Sequence, residues 1–364
     1  MDDNYKKRIL EPYIELYESV LRRKNTDKDV SELLDLKKNI LCGQDKLIIP
    51  RITLVISTKC SLRCKDCVNL MQYYNDPFDL GIEELMSEMA EFFDLVDELM
   101  EISIVGGEPF LYEDLDKLIQ YLISNEKINS IRFTTNGTVV PKESVLNLMS
   151  HKKIFVQVSD YGNVRLLANF VSTLDKYNIC SEVVCDEKWI DCGNVIKRKR
   201  AEQELRQMYL SCGSAKMCKT LFKGKIFDCP RAAHLHDLGY ADDIEYLDVK
   251  TASKKDILDF WLKDMSTACD YCDLAVKEPK YIEPAIQMNG SHMVRSDYTV
   301  IARKNYNDII EAKEYWEREF HKSEAAVKEL QEWTKQLEEA KTYFLQKIEN
   351  LQSENALLKA KDKE

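Results

Sequence analysis

From Arg51 onward the chain alternates short apolar runs with stretches of helical periodicity, and this alternation limits the possible folds most. We expect strands at residues 52–56, 102–105, 131–134, 154–158 and 182–184. The helical patterns between them lie at 82–96, 115–123, 143–149 and 164–177. Strands separated by helices of this length predict βαβ units and a parallel sheet. Such units curl into full or partial barrels, whose sites lie at the carboxyl ends of the strands.

Polar or glycine-rich turns follow the first four predicted strands. The first strand leads into a cysteine-rich loop and the second into Gly106-Gly107. Residues 134–138 and 159–162 follow the third and fourth strands. Four such turns on one rim of a barrel predict a single functional site there.

The loop after the first strand contains Cys60, Cys64 and Cys67 in a CxxxCxxC spacing, with no histidine nearby. Thiolates are soft ligands that select iron–sulfur clusters, zinc or copper(I). A structural zinc site usually has four protein ligands. A cubane cluster held by three cysteines instead leaves one iron open for a ligand from outside the protein. The spacing therefore favours an iron–sulfur cluster, with a zinc loop as the alternative.

CxxxCxxC after one strand and Gly106-Gly107-Glu108-Pro109 after the next together resemble the radical SAM superfamily. The resemblance implies an α/β fold, a partial (βα)6 TIM-like barrel, in which the three cysteines bind a [4Fe-4S] cluster. Its open iron would take the amino and carboxylate groups of S-adenosyl-L-methionine (SAM), and the backbone of 106–109 would contact that amino group. One departure is Asp66, because the family usually has an aromatic residue there, near the adenine. The adenine contact must then come from elsewhere.

Four more rim residues are candidate SAM ligands. Thr135 and Asn136 follow the third strand, where a polar residue of the family often binds SAM, although the same residues also suit an ordinary turn. Ser159 and Asp160 could contact the SAM ribose or the substrate. Asp160 could equally cap the following helix.

A second group of cysteines lies downstream, at Cys212, Cys218, Cys229, Cys269 and Cys272. Residues 222–227 predict a hairpin that turns at Lys223-Gly224 and brings Cys218 and Cys229 together. Taken alone, such a set could be a zinc ribbon. The spacing from Gly224 to Cys229 resembles the twitch or SPASM extension of radical SAM enzymes, which holds auxiliary [4Fe-4S] clusters. The short set resembles the twitch type with one cluster, and either Cys212 or Cys218 is its fourth ligand.

The remaining cysteines are interpreted as structural because they fit no ligand spacing: Cys42, Cys180, Cys185 and Cys192.

Two groups of basic residues each have two interpretations. Arg231, His234 and His236 could line a cavity between the clusters and contact an anionic substrate, or could have surface and capping roles. The basic run at 197–200 could attract an anionic substrate or form a solvated helix face.

Composition excludes some classes of function. The 364 residues, 45% of them hydrophobic, allow one large domain with additions. A net charge of −11 argues against a broad nucleic-acid-binding surface. No apolar run reaches transmembrane length and the N-terminus lacks a signal-peptide core, so we expect a cytoplasmic protein without a membrane span. Cysteines stay reduced in that compartment, and clustered ones are more often metal ligands than disulfides.

The expected domains are a helical extension at 1–48, the barrel at 49–210, a small α+β auxiliary-cluster domain at 211–290 and a C-terminal long helix or coiled coil at 306–364. In the tail an apolar residue recurs every seven positions, at Leu330, Leu337, Phe344, Leu351 and Leu358. This repeat predicts a parallel coiled coil and a homodimer. A single helix folded back on the barrel is the alternative.

The leading hypothesis is a radical SAM oxidoreductase that modifies a sugar or cyclitol, which could be nucleotide-linked. Its reduced cluster would cleave SAM to a 5′-deoxyadenosyl radical that abstracts a substrate hydrogen. An external electron donor such as flavodoxin or ferredoxin would reduce the cluster. One alternative is a radical maturase of a peptide or protein. Another, of a different class, is a zinc-stabilised scaffold that dimerises through its tail.

Overall fold

The computed structural model describes residues 11, 12, 14, 16 and 46–288, apart from 163 and 186. The predicted tail at 306–364, Cys42 and most of the predicted extension at 1–48 lie outside the described residues. The chain divides into two compact units, Met1–Arg295 and Ser296–Glu364, so the expected barrel and auxiliary regions belong to one unit. No helix among the described residues is long and apolar enough to cross a membrane.

Five parallel strands alternate with four helices in the first half of the described chain. The strands are β1 (Ile48–Val55), β2 (Glu98–Val105), β3 (Ile128–Thr135), β4 (Ile154–Asp160) and β5 (Ser181–Cys185). The helices between them are α1 (Ile82–Leu95), α2 (Leu115–Ser124), α3 (Glu143–Met149) and α4 (Val164–Lys176). The βαβ pattern expected from the sequence is therefore confirmed.

The second half consists of shorter elements. These are β6 (Trp189–Ile190), α5 (Glu202–Ser211), α6 (Gly213–Met217), β7 (Thr220–Phe222), β8 (Lys225–Phe227), α7 (Pro230–Asp237), β9 (Leu247–Asp248), α8 (Lys254–Leu262) and β10 (Tyr281–Ile282). Short 3₁₀ turns lie at Met71–Tyr73, Pro109–Leu111 and Thr267–Tyr271.

The main sheet has the strand order β5-β4-β3-β2-β1-β7-β8-β9. β7 runs parallel to β1, with Leu221 opposite Leu54, and β8 and β9 continue antiparallel. Among the described residues, the sixth strand of the parallel part of the sheet therefore comes from the hairpin and lies beside β1, away from β5.

The central strands are buried on both faces, because helices cover the outside and side chains fill the inside. β1 buries Ile49, Ile52, Leu54 and Val55, and β2 buries Leu99, Ile102 and Ile104. These strands and their helices share one hydrophobic core with the hairpin, through Leu221 and Ile226. The hairpin is therefore fixed against β1, directly below the loop that carries the first cysteines.

The predicted turn of the hairpin is confirmed. Lys223 and Gly224 both have positive φ, at 52° and 68°. A two-residue turn with two positive φ values matches the twist of an antiparallel pair, and glycine at the second position suits it.

Candidate active site

The three cysteines of the first loop lie close together at the carboxyl end of β1. Burial raises the pKa of Cys60 to about 12 and that of Cys64 to about 11, and neighbouring cysteines add to both shifts. Burial likewise raises the pKa of Cys67. Thiols in such surroundings stay protonated unless a positive metal centre replaces their protons.

The Gly106-Gly107 turn supports this loop from below. The Gly107 and Glu108 N–H groups donate to the carbonyl oxygens of Ser57 and Lys59, at 3.0 and 2.8 Å. A Cβ atom on Gly107 would lie 2.1 Å from the Lys59 oxygen and 2.7 Å from the Cys60 Cβ. The glycine is thus required because the two loops touch. A side chain at position 107 would therefore clash with the base of the cysteine loop.

A segment from the end of the described chain holds the other side of the cysteine loop. Lys65 N–H donates to the Ile286 oxygen at 2.6 Å, and Met288 N–H donates to the Arg63 oxygen at 2.8 Å. The Gln287 amide donates to the Cys64 Sγ at 3.5 Å, while its oxygen accepts the Arg63 N–H at 2.7 Å. No motif in the sequence identifies this contact.

Glu108 connects the second and third rim turns. It is fully buried and accepts hydrogen bonds from the Thr135 hydroxyl at 2.7 Å and the Asn136 N–H at 2.9 Å. Thr135 is itself buried and holds Glu108, which leaves Asn136 as the rim residue that faces the cysteine loop. The Asn136 amide donates to Ser61 at 3.1 Å and lies 3.8 Å from the Cys60 Sγ.

The fourth rim turn carries polar and aromatic groups. Ser159 and Asp160 are half-buried, and the Asp160 carboxylate accepts the Gly162 N–H at 2.8 Å. Tyr161 and Trp189 meet edge to face at 5.3 Å and pack against the cluster that contains Cys64. Sequence patterns did not single out these two aromatic residues.

Four cysteines of the second group gather in one place: Cys212, Cys229, Cys269 and Cys272. Each interacts electrostatically with the other three. Cys218 interacts with Cys212, and Cys229 interacts with Cys212, Cys269 and Cys272.

Cys192 also belongs to this region, although its spacing suggested only a structural role. It lies beside Cys272, and this neighbour holds the pKa of the Cys272 thiol below its ordinary value. Its own Sγ donates to the Ile190 carbonyl oxygen at 3.6 Å. Cys192 lies just after β6, outside the cysteine set that begins at Cys212, and β6 pairs with β10. Spacing rules therefore could not reveal it.

The basic run at 197–200 is not helical. Its backbone wraps the loop of Cys269 and Cys272: Lys199 and Arg200 N–H groups donate to the buried Asp270 carboxylate at 3.0 and 2.9 Å. The Arg200 side chain donates to the Cys269 and Cys272 carbonyls at 3.1 and 3.0 Å. Arg198 pairs with Asp273 at 2.8 Å. The run therefore holds the auxiliary cysteines in place.

Cys67 of the first group and Cys192 both line a cavity of about 670 Å³. Lys65 and Asp191, close to them in sequence, line it as well. Arg231, Lys197, Arg198 and Asp273 complete most of its charged lining. A cavity of this volume has the size of a small-molecule site.

Only one of the three basic residues after Cys229 lines this cavity. Arg231 does so and is 3% exposed. His234 is buried between Tyr74 and Phe222, bonds to the Tyr74 hydroxyl at 2.9 Å, and burial lowers its pKa to about 4. His236 stacks with Phe227 and Tyr246 at a separate, smaller pocket.

Within the described residues, no three His, Cys, Asp or Glu side chains are spaced for a single metal ion. A [4Fe-4S] cluster is larger, and its thiolate ligands bind separate iron atoms. Three mutually interacting thiols, with amide donors directed at two of the sulfur atoms, fit such a cluster.

Residues 54–159 match the family model described as the radical SAM superfamily. This range runs from the end of β1 into β4 and includes the cysteine loop and the Gly106-Gly107 turn. The chain therefore carries a radical SAM domain, and the family implies a [4Fe-4S] cluster and SAM as its cofactors.

Curated relatives match shorter stretches of the chain. GTP 3',8-cyclase of Staphylococcus saprophyticus is 35% identical over 95 residues, which cover 25% of this chain and 28% of the relative. GTP 3',8-cyclase of Aquifex aeolicus is 34% identical over 121 residues, covering 31% and 37%. The chain thus spans about a third of the length of these relatives.

Solved structures resemble the chain more broadly but weakly. Native anSMEcpe with bound AdoMet and Kp18Cys peptide is 16% identical, with a TM-score of 0.42, and 63% of this chain and 84% of that chain are covered. BtrN in complex with AdoMet and 2-DOIA is 15% identical, with a TM-score of 0.41, and 63% and 96% are covered. Likenesses at this level have no bearing on the substrate.

Proposed function

We propose that this protein is a radical SAM enzyme that abstracts a hydrogen atom from a polar small molecule and oxidises it. The observation that carries the proposal is the cavity of about 670 Å³ that Cys67 and Cys192 both line. A substrate there would lie between a cluster that generates a radical and a second group of thiols that can hold an electron acceptor.

Cys60, Cys64 and Cys67 are the proposed ligands of the first cluster. An ammonium group donates hydrogen bonds, so the carbonyl oxygens of residues 106–109 suit the amino group of SAM. Asn136 lies beside the Cys60 sulfur and is the proposed polar contact from the third rim turn. Ser159 and Asp160 remain candidates for the ribose or the substrate, and Tyr161 and Trp189 are proposed to replace the aromatic contact missing at Asp66. When bound, the cluster and SAM supply the 5′-deoxyadenosyl radical.

Cys212, Cys229, Cys269 and Cys272 are the proposed ligands of an auxiliary [4Fe-4S] cluster of the twitch type. Their mutual interactions favour Cys212 over Cys218 as the fourth ligand. Cys192, beside Cys272, would then be a neighbour of a cluster ligand. An auxiliary cluster beside the cavity supports a net oxidation, because it can accept the electron left on the substrate.

A sugar or cyclitol, free or nucleotide-linked, is the proposed substrate class. The lining of the cavity mixes Lys65, Lys197 and Arg231 with Asp66 and Asp191, which suits hydroxyl and phosphate groups. The curated relatives are named for a reaction of GTP. They match only 25–31% of this chain, so they support a nucleotide moiety without identifying the sugar.

The core of the proposal is tested by formation of 5′-deoxyadenosine from SAM under anaerobic reduction. Cys64→Ala removes a proposed cluster ligand and should abolish the product. Cys180→Ala, on the exposed surface, is the matched control and should behave as wild type. Undiminished 5′-deoxyadenosine from Cys64→Ala would refute the assignment. Stimulation by a peptide panel, and not by nucleotide sugars or aminocyclitols, would reject the substrate class.

A further inference from the structure

Arg231 is a buried arginine at the start of α7, two residues after Cys229. It is 3% exposed. Its Nη2 donates to the Gly193 and Asn194 carbonyl oxygens at 2.7 and 2.9 Å, and its Nε donates to the Tyr271 oxygen at 3.3 Å. Gly193 and Tyr271 are the immediate neighbours of Cys192 and Cys272. The guanidinium group is therefore fixed by the backbone of both cysteine-bearing segments.

The positive charge of Arg231 has no carboxylate in direct contact. Arg198 and Arg200, which are close by, pair with Asp273. Within the described part of the chain, no carboxylate forms an ion pair with Arg231, whose bonds run to neutral carbonyl oxygens. Asp191, in the same cavity, interacts with it electrostatically and compensates its charge in part. Because a buried charge is unfavourable when its counter-charge is incomplete, further negative charge close to Arg231 would be stabilising.

Thiols are the groups that can supply this charge. Arg231 lines the same cavity as Cys67 and Cys192. Its Nε bond to the Tyr271 oxygen also places it next to Cys272. One guanidinium group therefore faces a ligand of each proposed cluster.

We infer that Arg231 is a positioning residue shared by the two iron–sulfur clusters: its fixed positive charge compensates both and raises the reduction potential of each. The inference rests on the proposed function, because it requires the auxiliary cluster. Net charge and hydrogen bonding around the sulfur atoms set the potential of such clusters. A cation between two clusters favours the reduced form of both, and so eases electron entry at the first and electron acceptance at the second.

The test is potentiometric titration of both clusters, followed by electron paramagnetic resonance, in the reconstituted full-length protein. At the potential where each wild-type cluster is half reduced, the ratio of reduced to oxidised cluster should be about tenfold lower in Arg231→Gln. This corresponds to a midpoint potential lower by about 59 mV for a one-electron couple. Arg231→Lys keeps the charge and should recover most of the shift, which a purely structural role would not produce. Arg200→Gln is the matched control, and its effect should be confined to the auxiliary cluster, whose backbone it contacts.

The outcomes separate this inference from the proposed function. Two clusters in the wild type with potentials that Arg231→Gln leaves unchanged would overturn the inference alone. A shift in only one cluster would overturn the shared role. Only four irons in the wild type would overturn both the auxiliary cluster and the inference. If Arg231→Gln loses the auxiliary cluster, the reduction potential of the first cluster can still be measured. An unchanged potential of that cluster contradicts the inference, and a lowered potential supports it.

Discussion

Glu108 is fully buried beneath the cysteine loop and accepts hydrogen bonds from Thr135, Asn136 and Phe110. Burial raises its pKa to about 7, and these three donors reduce the shift without cancelling it. A carboxyl group that holds its proton to a higher pH in the native state than in the unfolded state makes stability depend on pH. Here the residue that joins two rim turns is also a titrating group.

Glu108 should make the protein less stable as the pH rises. Between the unfolded pKa of 4.5 and the native value of about 7, the native state binds more protons, so the free energy of unfolding falls with rising pH. The loss is complete above the native pKa and amounts to about 3 kcal/mol at most. Urea unfolding of the cofactor-free protein, from about pH 5 to about pH 8, measures it.

Glu108→Gln cannot titrate and should lose this component of the pH dependence. Its overall stability should also fall, because an amide N–H would then face the Asn136 N–H donor. Glu113→Gln, at a nearby exposed position, should keep the wild-type slope. An equal slope in Glu108→Gln and wild type would show that Glu108 does not titrate in this range.

At the scale of elements, the β7–β8 hairpin connects the two cysteine groups. It pairs with β1 below the first loop and leads through Cys229 into α7. Its sequence position and its turn were predictable, because Lys223-Gly224 between apolar residues is a local signal. Its pairing with β1 was not predictable, because no periodic sequence pattern shows which strands pair when they are far apart in the chain.

Gly224→Ala should destabilise the hairpin. The backbone at Gly224 has a φ of 68°, and a residue with a Cβ in this region costs about 1–2 kcal/mol. The new Cβ would also lie 3.3 Å from the Glu88 carboxylate. Urea unfolding measures the loss. Gly81→Ser is the control: Gly81 has a φ of −61°, open space around it and an N-cap position that suits serine, so no loss is expected there.

The segment from Ala285 to Met288 should help to retain the first cluster. Gln287→Ala removes the amide donor to the Cys64 Sγ and the acceptor of the Arg63 N–H. Removal of such outer partners typically lowers metal affinity about 10–100-fold, so iron release to a chelator should be faster by a similar factor. Met288→Ala changes the neighbouring side chain, which is 54% exposed, and should release iron at the wild-type rate. Equal rates for the two variants would contradict this role of Gln287.

For the molecule as a whole, local sequence patterns predicted the secondary structure and the first cysteine loop, but not the contacts between segments that are distant in sequence. The alternation of strands and helices placed β1 to β5 and α1 to α4, because each βαβ unit repeats its own periodicity. The cysteine spacing and the glycine turn predicted the first loop. The approach of Cys192 to Cys272 and of Gln287 to Cys64 depends on β6, β10 and the chain after them. These contacts join segments with no shared motif, so only the folded chain reveals them.

The number of irons per chain is the whole-molecule consequence of this arrangement. If both cysteine groups bind [4Fe-4S] clusters, anaerobically reconstituted protein should contain about eight irons and eight sulfides per chain. Cys212→Ala should lower the iron content to about four, because Cys212 interacts with all three other members of the second group.

Cys218→Ala is the matched variant for this prediction. Cys229 and Cys269 both interact with Cys212, whereas Cys218 is among the main electrostatic partners of Cys212 but not of Cys229 or Cys269, so about eight irons should remain after its removal. The reverse result would exchange the two residues as fourth ligand. About four irons with one zinc in the wild type would keep the radical SAM core but make the second site structural. The reaction would then have to return the electron to the substrate or to SAM, since no second cluster could accept it.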